Sequence, residues 1–313
     1  MRVLAPSIDP SPVDALSTAL ASRAIGAYLG LATGDALGAT VEFMTPAEIR
    51  EHHGVHHDIQ GGGWLKLRRG QVTDDTEMSL ALGRAILIQG EVEPFAIAEA
   101  FSAWMVTKPV DIGHTVRRGI ARYRQTGEVQ VPPHDYDAGN GACMRCLPVA
   151  LFTLGAAPEA IAAANLTQAH VTHHSALADA GTLIVIRMVQ TARAGGSLAD
   201  LQSLAEALVA DWPEYRFDRR RTDNPGGYLP ETLSAVFQAL FSTDGFETAL
   251  VEVVNRGGDA DTSGAILGMI AGALYGRSAI PRRWLQNLDP EAARQCALQA
   301  QALIERSPHC SGL

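Results

Sequence analysis

"NRGGDADTSGAILGMIAGALYG", residues 255–276, decides the fold. From Ala265 to Tyr275 every residue is apolar, small or aromatic. A helix apolar on all faces belongs in the interior of a protein. Its first turn carries Asp259, Asp261 and Thr262, so these oxygens are expected at the floor of a cleft and not on an open surface. Gly257 and Gly258 come just before, where a sharp turn and a close approach to a ligand need a residue without a β-carbon.

"GQVTDDTEMSL", residues 70–80, repeats the design. Asp74 and Asp75 lie between Thr73 and Thr76, and Met78, Ala81, Leu82, Ala85 and Ile86 follow at helical spacing. Taken alone, the stretch reads first as a helix start, with Asp74 and Glu77 as a variant capping box. Capping needs one acceptor, however, and four are offered. Adjacent carboxylates also repel unless a cation or solvent relieves them. Two acid-and-threonine clusters, each opening a buried helix, predict a shared site for hard cations such as Mg²⁺ or Mn²⁺. This many acids suffices for two ions.

The remaining composition sets the frame. The chain has 313 residues, 47% hydrophobic and 19% charged, which is globular and long enough for a substantial core. A formal charge of −9 argues against nucleic acid as a partner, and "RFDRRR", 216–221, reads as a solvated loop. Cys143 and Cys146 have C-x-x-C spacing without a second pair, so they read as structural. Sparse cysteine usage and the lack of a signal-peptide layout point to the cytoplasm. No apolar run reaches the ~20 residues of a membrane span. "HHGVHH", 52–57, has no partnering acid at zinc spacing and sits in a glycine-rich loop.

Hydrophobic periodicity predicts helices at 14–33, 46–53, 75–89, 94–107, 113–125, 140–155, 157–164, 175–195, 198–211, 229–242, 245–255, 260–275 and 289–306. Breaks fall at "QGGGW", "VPPHDYDAGNG" and "DNPGGYLP". The expected architecture is all-α, with a flexible tail over residues 1–13 and a single compact, many-helix domain over 14–313. Within the loops, "GLATGDALGATVEF", 30–43, delivers Glu42 after glycines that permit close helix packing. Asp111 precedes a helix, where the pattern favours a cap. Asn140 and Gly141 open another, where a small-residue N-terminus can take a phosphate. Of His173 and His174, either could face the cleft.

Taken in order, "GDALGATVE", "TDDTEM", "GNGACMR", "THHSALAD", "GGYLPETL" and "GGDADTSG" resemble the motifs of the ADP-ribosylglycohydrolases, from about residue 22 to about 306. "GGGWLKL" and "KPVDIGHTVRRGI" are similar to the members that act on dinitrogenase reductase. The resemblance implies an all-α fold with a dinuclear centre. Thr73, Asp74 and Asp75 would meet Asp259, Asp261 and Thr262 around two Mg²⁺ or Mn²⁺ ions. It implies Asp111 as the acid/base at the ribose and Glu42 beside the metals, orienting water or substrate. Asn140 and Gly141 would line the ADP-ribose cleft, with His173 and Tyr228 flanking the nucleotide. The implied reaction is hydrolysis of the N-glycosidic bond between ADP-ribose and a protein arginine. The implied partners are ADP-ribosylated dinitrogenase reductase and a nitrogen-signalling PII protein, with peripheral membrane attachment through partners.

Two positions depart from the pattern: His114, where a short polar residue is expected, and Ser263, where threonine is commoner. Two alternatives accompany this reading. One is the same chemistry on a different, for example toxin-modified, protein. The other is an inactive ADP-ribose-binding regulator, which should have lost metal acids, whereas Asp74, Asp75, Asp259 and Asp261 are all present.

Overall fold

The computed structural model describes residues 12–134 and 138–311. Fifteen α-helices follow one another among them: Pro12–Gly38 (α1), Pro46–His53 (α2), Asp74–Gln89 (α3), Pro94–Val106 (α4), His114–Thr126 (α5), Leu147–Phe152 (α6), Pro158–Ala169 (α7), Ala176–Arg193 (α8), Leu198–Asp211 (α9), Leu229–Phe241 (α10), Phe246–Val254 (α11), Ala260–Tyr275 (α12), Arg282–Asn287 (α13), Pro290–Glu305 (α14) and Pro308–Ser311 (α15). The only strand-like pairings among the described residues are isolated bridges, Gly62 with Leu67 and Gly139 with Tyr228. The all-α expectation holds. The tail expected at 1–13 falls outside the described residues except for Pro12 and Val13, which open α1.

The axis of the molecule is the pair α1 and α12. Every residue of α12 from Ala260 to Ala273 is buried, as its composition requires. The two helices run antiparallel with their backbones in contact at every fourth residue. A β-carbon at Gly26, Gly30, Gly34 or Gly38 would lie 2.5, 2.1, 2.0 or 2.2 Å from the carbonyl oxygen of Gly272, Gly268, Gly264 or Ala260. The i, i+4 spacing keeps these glycines on one face of each helix, so only this face can close so tightly. The contact brings the C-terminal end of α1, with Asp35, against the N-terminal end of α12, with Asp261 and Thr262.

Most predicted helices form within a few residues of their expected ends. The stretch 140–155 does not form one helix. A 3-10 turn, Asn140–Ala142, and α6 take its place. Pro148 lacks an amide proton and is tolerated only in a first turn, so a continuous helix through it is unfavourable. Conversely, α7 runs on from 164 to Ala169 through polar residues. The buried amides Asn165 and Gln168 pair with the carbonyls of Asp179 and Ala142. The short α13 carries no readable period and was not expected.

Candidate active-site cleft and metal centre

The first question is whether the acids cap their own helices. They do not. Thr73 occupies the N-cap of α3 and Asp259 that of α12, and neither makes a side-chain cap bond. The Asp74–Glu77 capping box expected from the pattern does not form. Glu77 instead accepts from Trp104 Nε1 at 2.8 Å. Asp111 is not a cap either, because Gly113 holds the N-cap of α5 without a side-chain bond. A cap role would point these carboxylates back along their helices. Free of it, they project into a common space.

That space is a cleft of about 390 Å³, within the range of small-molecule sites. Five carboxylates line it, from Glu42, Asp74, Asp111, Asp259 and Asp261, together with Thr262. Among the described residues, no Lys or Arg lines it. Carboxylate oxygens of Glu42, Asp111 and Asp261 lie within 4.8 Å of one another. Asp74 Oδ2 accepts from the Gly113 amide at 3.3 Å, which ties the start of α3 to the start of α5. Asp261 Oδ1 accepts from the Thr262 amide at 2.9 Å. Asp259 Oδ2 accepts from Asn140 Nδ2 at 2.7 Å. Gly257 and Gly258, both at positive φ, turn the chain under Met44 and Pro225 to deliver Asp259.

Thr73 and Asp75 lie beneath the cleft floor, fully buried, rather than in its wall. Asp75 Oδ2 accepts from the Thr73 and Thr262 hydroxyls, which links the two signatures directly. Its Oδ1 is buried without a hydrogen-bond partner. Thr73 turns to a residue the sequence reading passed over. Asp35, in the last turn of α1, accepts from the amides and hydroxyls of both Thr73 and Thr76. A lone carboxylate in the glycine-paced, largely apolar stretch 24–38 was the available signal, since a buried charge requires partners.

The electrostatics follow from burial among like charges, which Arg117 offsets only in part at Asp111. Burial lifts Asp35 to about 6 against its hydrogen bonds, and lifts Glu42 to about 8 with help from Asp259, Asp111 and Asp35. Burial first, then neighbouring acids, pushes Asp74, Asp75 and Asp261 well above the ordinary carboxylate range. Asp111 rises for the same two reasons. Such a cluster holds protons or cations. An all-oxygen donor set with an unpartnered buried Asp75 Oδ1 suits a hard divalent cation.

The mouth is aromatic. Trp64 Nε1 donates to Glu42 Oε2 at 2.7 Å, and its ring meets Phe43 at 5.4 Å. Both aromatics are more than half exposed. Phe43 sits at φ 61, a strained backbone for a bulky residue, held by its amide on Gly258 O. Neither aromatic was expected at the site; isolated loop residues carry no periodic signal.

The remaining expected residues divide. Asn140, Gly141 and His173 line the cleft; His114, the departure from the family pattern, stands exposed at its rim. His174 instead hydrogen-bonds Val131 O and stacks on His170, so His173 is the one of the pair that faces the cleft. Tyr228 is 43% exposed and lies outside the wall. Its neighbour Gly227 takes that place, accepting from the Asn140 amide. Cys143 and Cys146 are buried free thiols, and His56 Nε2 is engaged by Leu37 O. Among the described residues neither forms part of a metal cluster.

Comparison with known proteins bears directly on this arrangement. The model of the ADP-ribosylglycohydrolase family matches residues 16–311. The chain is 46% identical over 282 residues to ADP-ribosyl-[dinitrogen reductase] glycohydrolase of Rhodospirillum rubrum, covering 90% of this chain and 95% of that protein. It is 30% identical over 308 residues to ADP-ribosylarginine hydrolase Tri1 of Pseudomonas putida (strain GB-1), covering 93% of this chain and 80% of that one. A solved structure described as an ADP-ribosylglycohydrolase-related protein complex superposes with a TM-score of 0.83 at 32% identity, over 93% of this chain and 99% of that one. Sequence, fold and the extent of both matches agree, and the chain belongs to the ADP-ribosylglycohydrolase family.

Proposed function

We propose that this protein hydrolyses the N-glycosidic bond between ADP-ribose and an arginine side chain, and that its substrate is ADP-ribosylated dinitrogenase reductase. One observation carries the reading most: the oxygens of Glu42, Asp111 and Asp261 converge within 4.8 Å at the floor of a cleft lined, among the described residues, by five carboxylates and no Lys or Arg. The choice of protein substrate rests on the relative from Rhodospirillum rubrum. The Pseudomonas putida relative supports the arginine linkage and favours a second reading, the same reaction on a different modified protein.

In this reading two Mg²⁺ or Mn²⁺ ions are held by Asp74, Asp259, Asp261 and Thr262, with Thr73 and Asp75 supporting them from beneath. Bound divalent cations supply Lewis-acid positioning of the ribose hydroxyls and of a water. The chain's own groups do the rest. Guanidine leaves poorly unless protonated, and the ribose gains positive charge as the bond weakens. Asp111 moves the proton at the ribose; burial and the neighbouring Asp259 raise its carboxyl above the ordinary range, which favours its holding a proton. Glu42, oriented by Trp64, positions the water or a sugar hydroxyl. Asn140 and Gly141 bind the ADP-ribosyl group, with His173 and Tyr228 at its flanks. The acidic cleft attracts the cationic arginine side of the substrate. A PII-type signalling protein is the regulatory partner in this reading. Membrane attachment would pass through such a partner, since among the described residues no helix is long and apolar enough to cross a membrane.

The test is release of ADP-ribose from arginine-modified dinitrogenase reductase with Mn²⁺, with a chelator, and by the Asp111→Ala and Asp74→Asn variants. Metal-dependent release that both variants abolish supports the reading. Tight ADP-ribose binding without release under any metal would overturn the catalytic claim. Release from other modified proteins but not from this one would keep the reaction and discard the target.

A further inference from the structure

Arg145 has no role in the chemistry above, yet it is fully buried beside the cleft. Its Nε donates to Gln168 Oε1 at 3.1 Å, and its Nη2 donates to Gln168 O at 3.0 Å and to Thr172 Oγ1 at 2.8 Å. The guanidinium carbon stands 4.4 Å from the centre of the Phe101 ring. Gln168 Nε2 in turn donates to Ala142 O, in the 3-10 turn that carries Asn140 and Gly141. Thr172 Oγ1 is 2.8 Å from His173 Nδ1.

The proton positions follow by elimination. Guanidinium nitrogens only donate, so Thr172 Oγ1 accepts from Arg145. Thr172 is fully buried, and its hydroxyl proton has one acceptor in reach among the described residues, His173 Nδ1. Were Nδ1 itself protonated, the threonine proton would be buried without a partner, an arrangement that natural interiors avoid. A neutral imidazole that accepts at Nδ1 carries its proton on Nε2.

We propose that Arg145 and Thr172 are positioning residues: together they lock His173 in the Nε2–H tautomer, so that the cleft presents a fixed, neutral hydrogen-bond donor to an acceptor oxygen of the ADP-ribosyl group. The recognition half of this proposal rests on the reading of the cleft as an ADP-ribose site. The space for that oxygen comes from two glycines. A β-carbon at Gly139 would lie 3.1 Å from His173 Nε2, and one at Gly141 would lie 2.8 Å from Cε1 and 3.1 Å from Nε2. Their absence leaves the Nε2 edge open where both glycines and His173 line the cleft. Burial, then the charges of Arg145 and Arg118, hold the imidazole down to about 3, so the ring stays uncharged while it donates.

The test combines a spectroscopic and a binding measurement on the Mg²⁺-loaded protein with ¹⁵N-labelled histidine. Long-range ¹H–¹⁵N correlation should show His173 with a bare Nδ1 and a protonated Nε2. Thr172→Val should mix the tautomers and weaken ADP-ribose binding about tenfold, the scale of one lost hydrogen bond, with KM rising more than kcat falls. Thr172→Ser should restore both. A protonated Nδ1 in the wild type overturns the proposal. So does a valine variant with wild-type tautomer and affinity, or a serine variant no better than valine. If the valine variant does not fold, the wild-type spectrum and the serine variant still decide. Failure of the wild type to bind ADP-ribose would overturn the substrate reading and the recognition role, whereas the tautomer is read without any nucleotide.

Discussion

Trp64 Nε1 donates a 2.7 Å hydrogen bond to Glu42 Oε2, so an exposed loop residue holds a buried carboxylate of the cleft. The bond favours the ionised acid, against burial and the neighbouring carboxylates that push Glu42 up to about 8. Trp64→Phe keeps an aromatic ring against Phe43 and removes only the donor. In chelator-treated protein the Glu42 carboxyl should then titrate higher still, as followed by ¹³C NMR of the labelled carboxylate. Turnover should fall about tenfold or more, the scale of a hydrogen bond to a charged group. An unchanged titration would mean that the indole does not tune Glu42.

In the metal-free protein the contribution of the raised acids to stability should fall as the pH rises. Asp35 and Glu42 titrate near 4 when unfolded but at about 6 and about 8 when folded. Between those limits the folded state binds more protons than the unfolded state. Their contribution to stability is therefore fully present below pH 4 and declines as the pH climbs toward 8. Divalent cation should reverse the trend, because it replaces the protons and binds the native state alone. Melting temperatures measured across this window, with chelator and with Mg²⁺, should diverge as the pH rises. Parallel curves would count against a cation site among these acids.

Asp75→Asn should separate stability from metal binding. Asp75 is fully buried, its Oδ1 has no partner, and its carboxyl is pushed well above the ordinary range. An amide of the same shape removes the cost of ionising a buried carboxyl, so the chelated variant should gain melting temperature relative to wild type as the pH rises. It also removes a charge from beneath the centre, so Mn²⁺ affinity measured by calorimetry should drop at least about tenfold, the scale of losing a supporting group of a metal site. A variant that lost both stability and affinity would point to a purely structural Asp75.

How much of this was legible in the sequence depended on the kind of signal. The apolar run 265–275 announced a central helix because burial on every face leaves no polar face to hide. Asp74, Asp259, Asp261 and Thr262 were legible because two clusters repeated one design, and a cap does not need so many oxygens. The cap readings of Asp74 and Asp111 failed for a related reason: the first turns of α3 and α5 dispense with side-chain caps, and the carboxylates belong to the cleft. Asp35, Trp64 and Thr172 were not legible. Their partners lie on elements 22 to 41 residues away in the case of Asp35 and Trp64, and across a buried arginine for Thr172. Only the three-dimensional packing makes such pairs.

That packing can be tested at Gly34. A β-carbon there would stand 2.0 Å from Gly264 O and 2.4 Å from Gly264 C, both backbone atoms that cannot rotate aside. Gly34→Ala must therefore push α1 and α12 apart along their shared face, at a cost of about 3 kcal/mol or more. Gly90→Ala is the control: its position at φ 76 has nothing within 4 Å, so only backbone strain of about 1–2 kcal/mol is expected. Chemical denaturation of the chelated proteins compares the two. The separation also moves Asp261 and Thr262, at the start of α12, away from Asp35 and Asp75. Gly34→Ala should consequently lose Mn²⁺ affinity under conditions where it is still folded, and Gly90→Ala should not. Equal effects of the two substitutions would show that the close contact of α1 with α12 does not hold the acids in place.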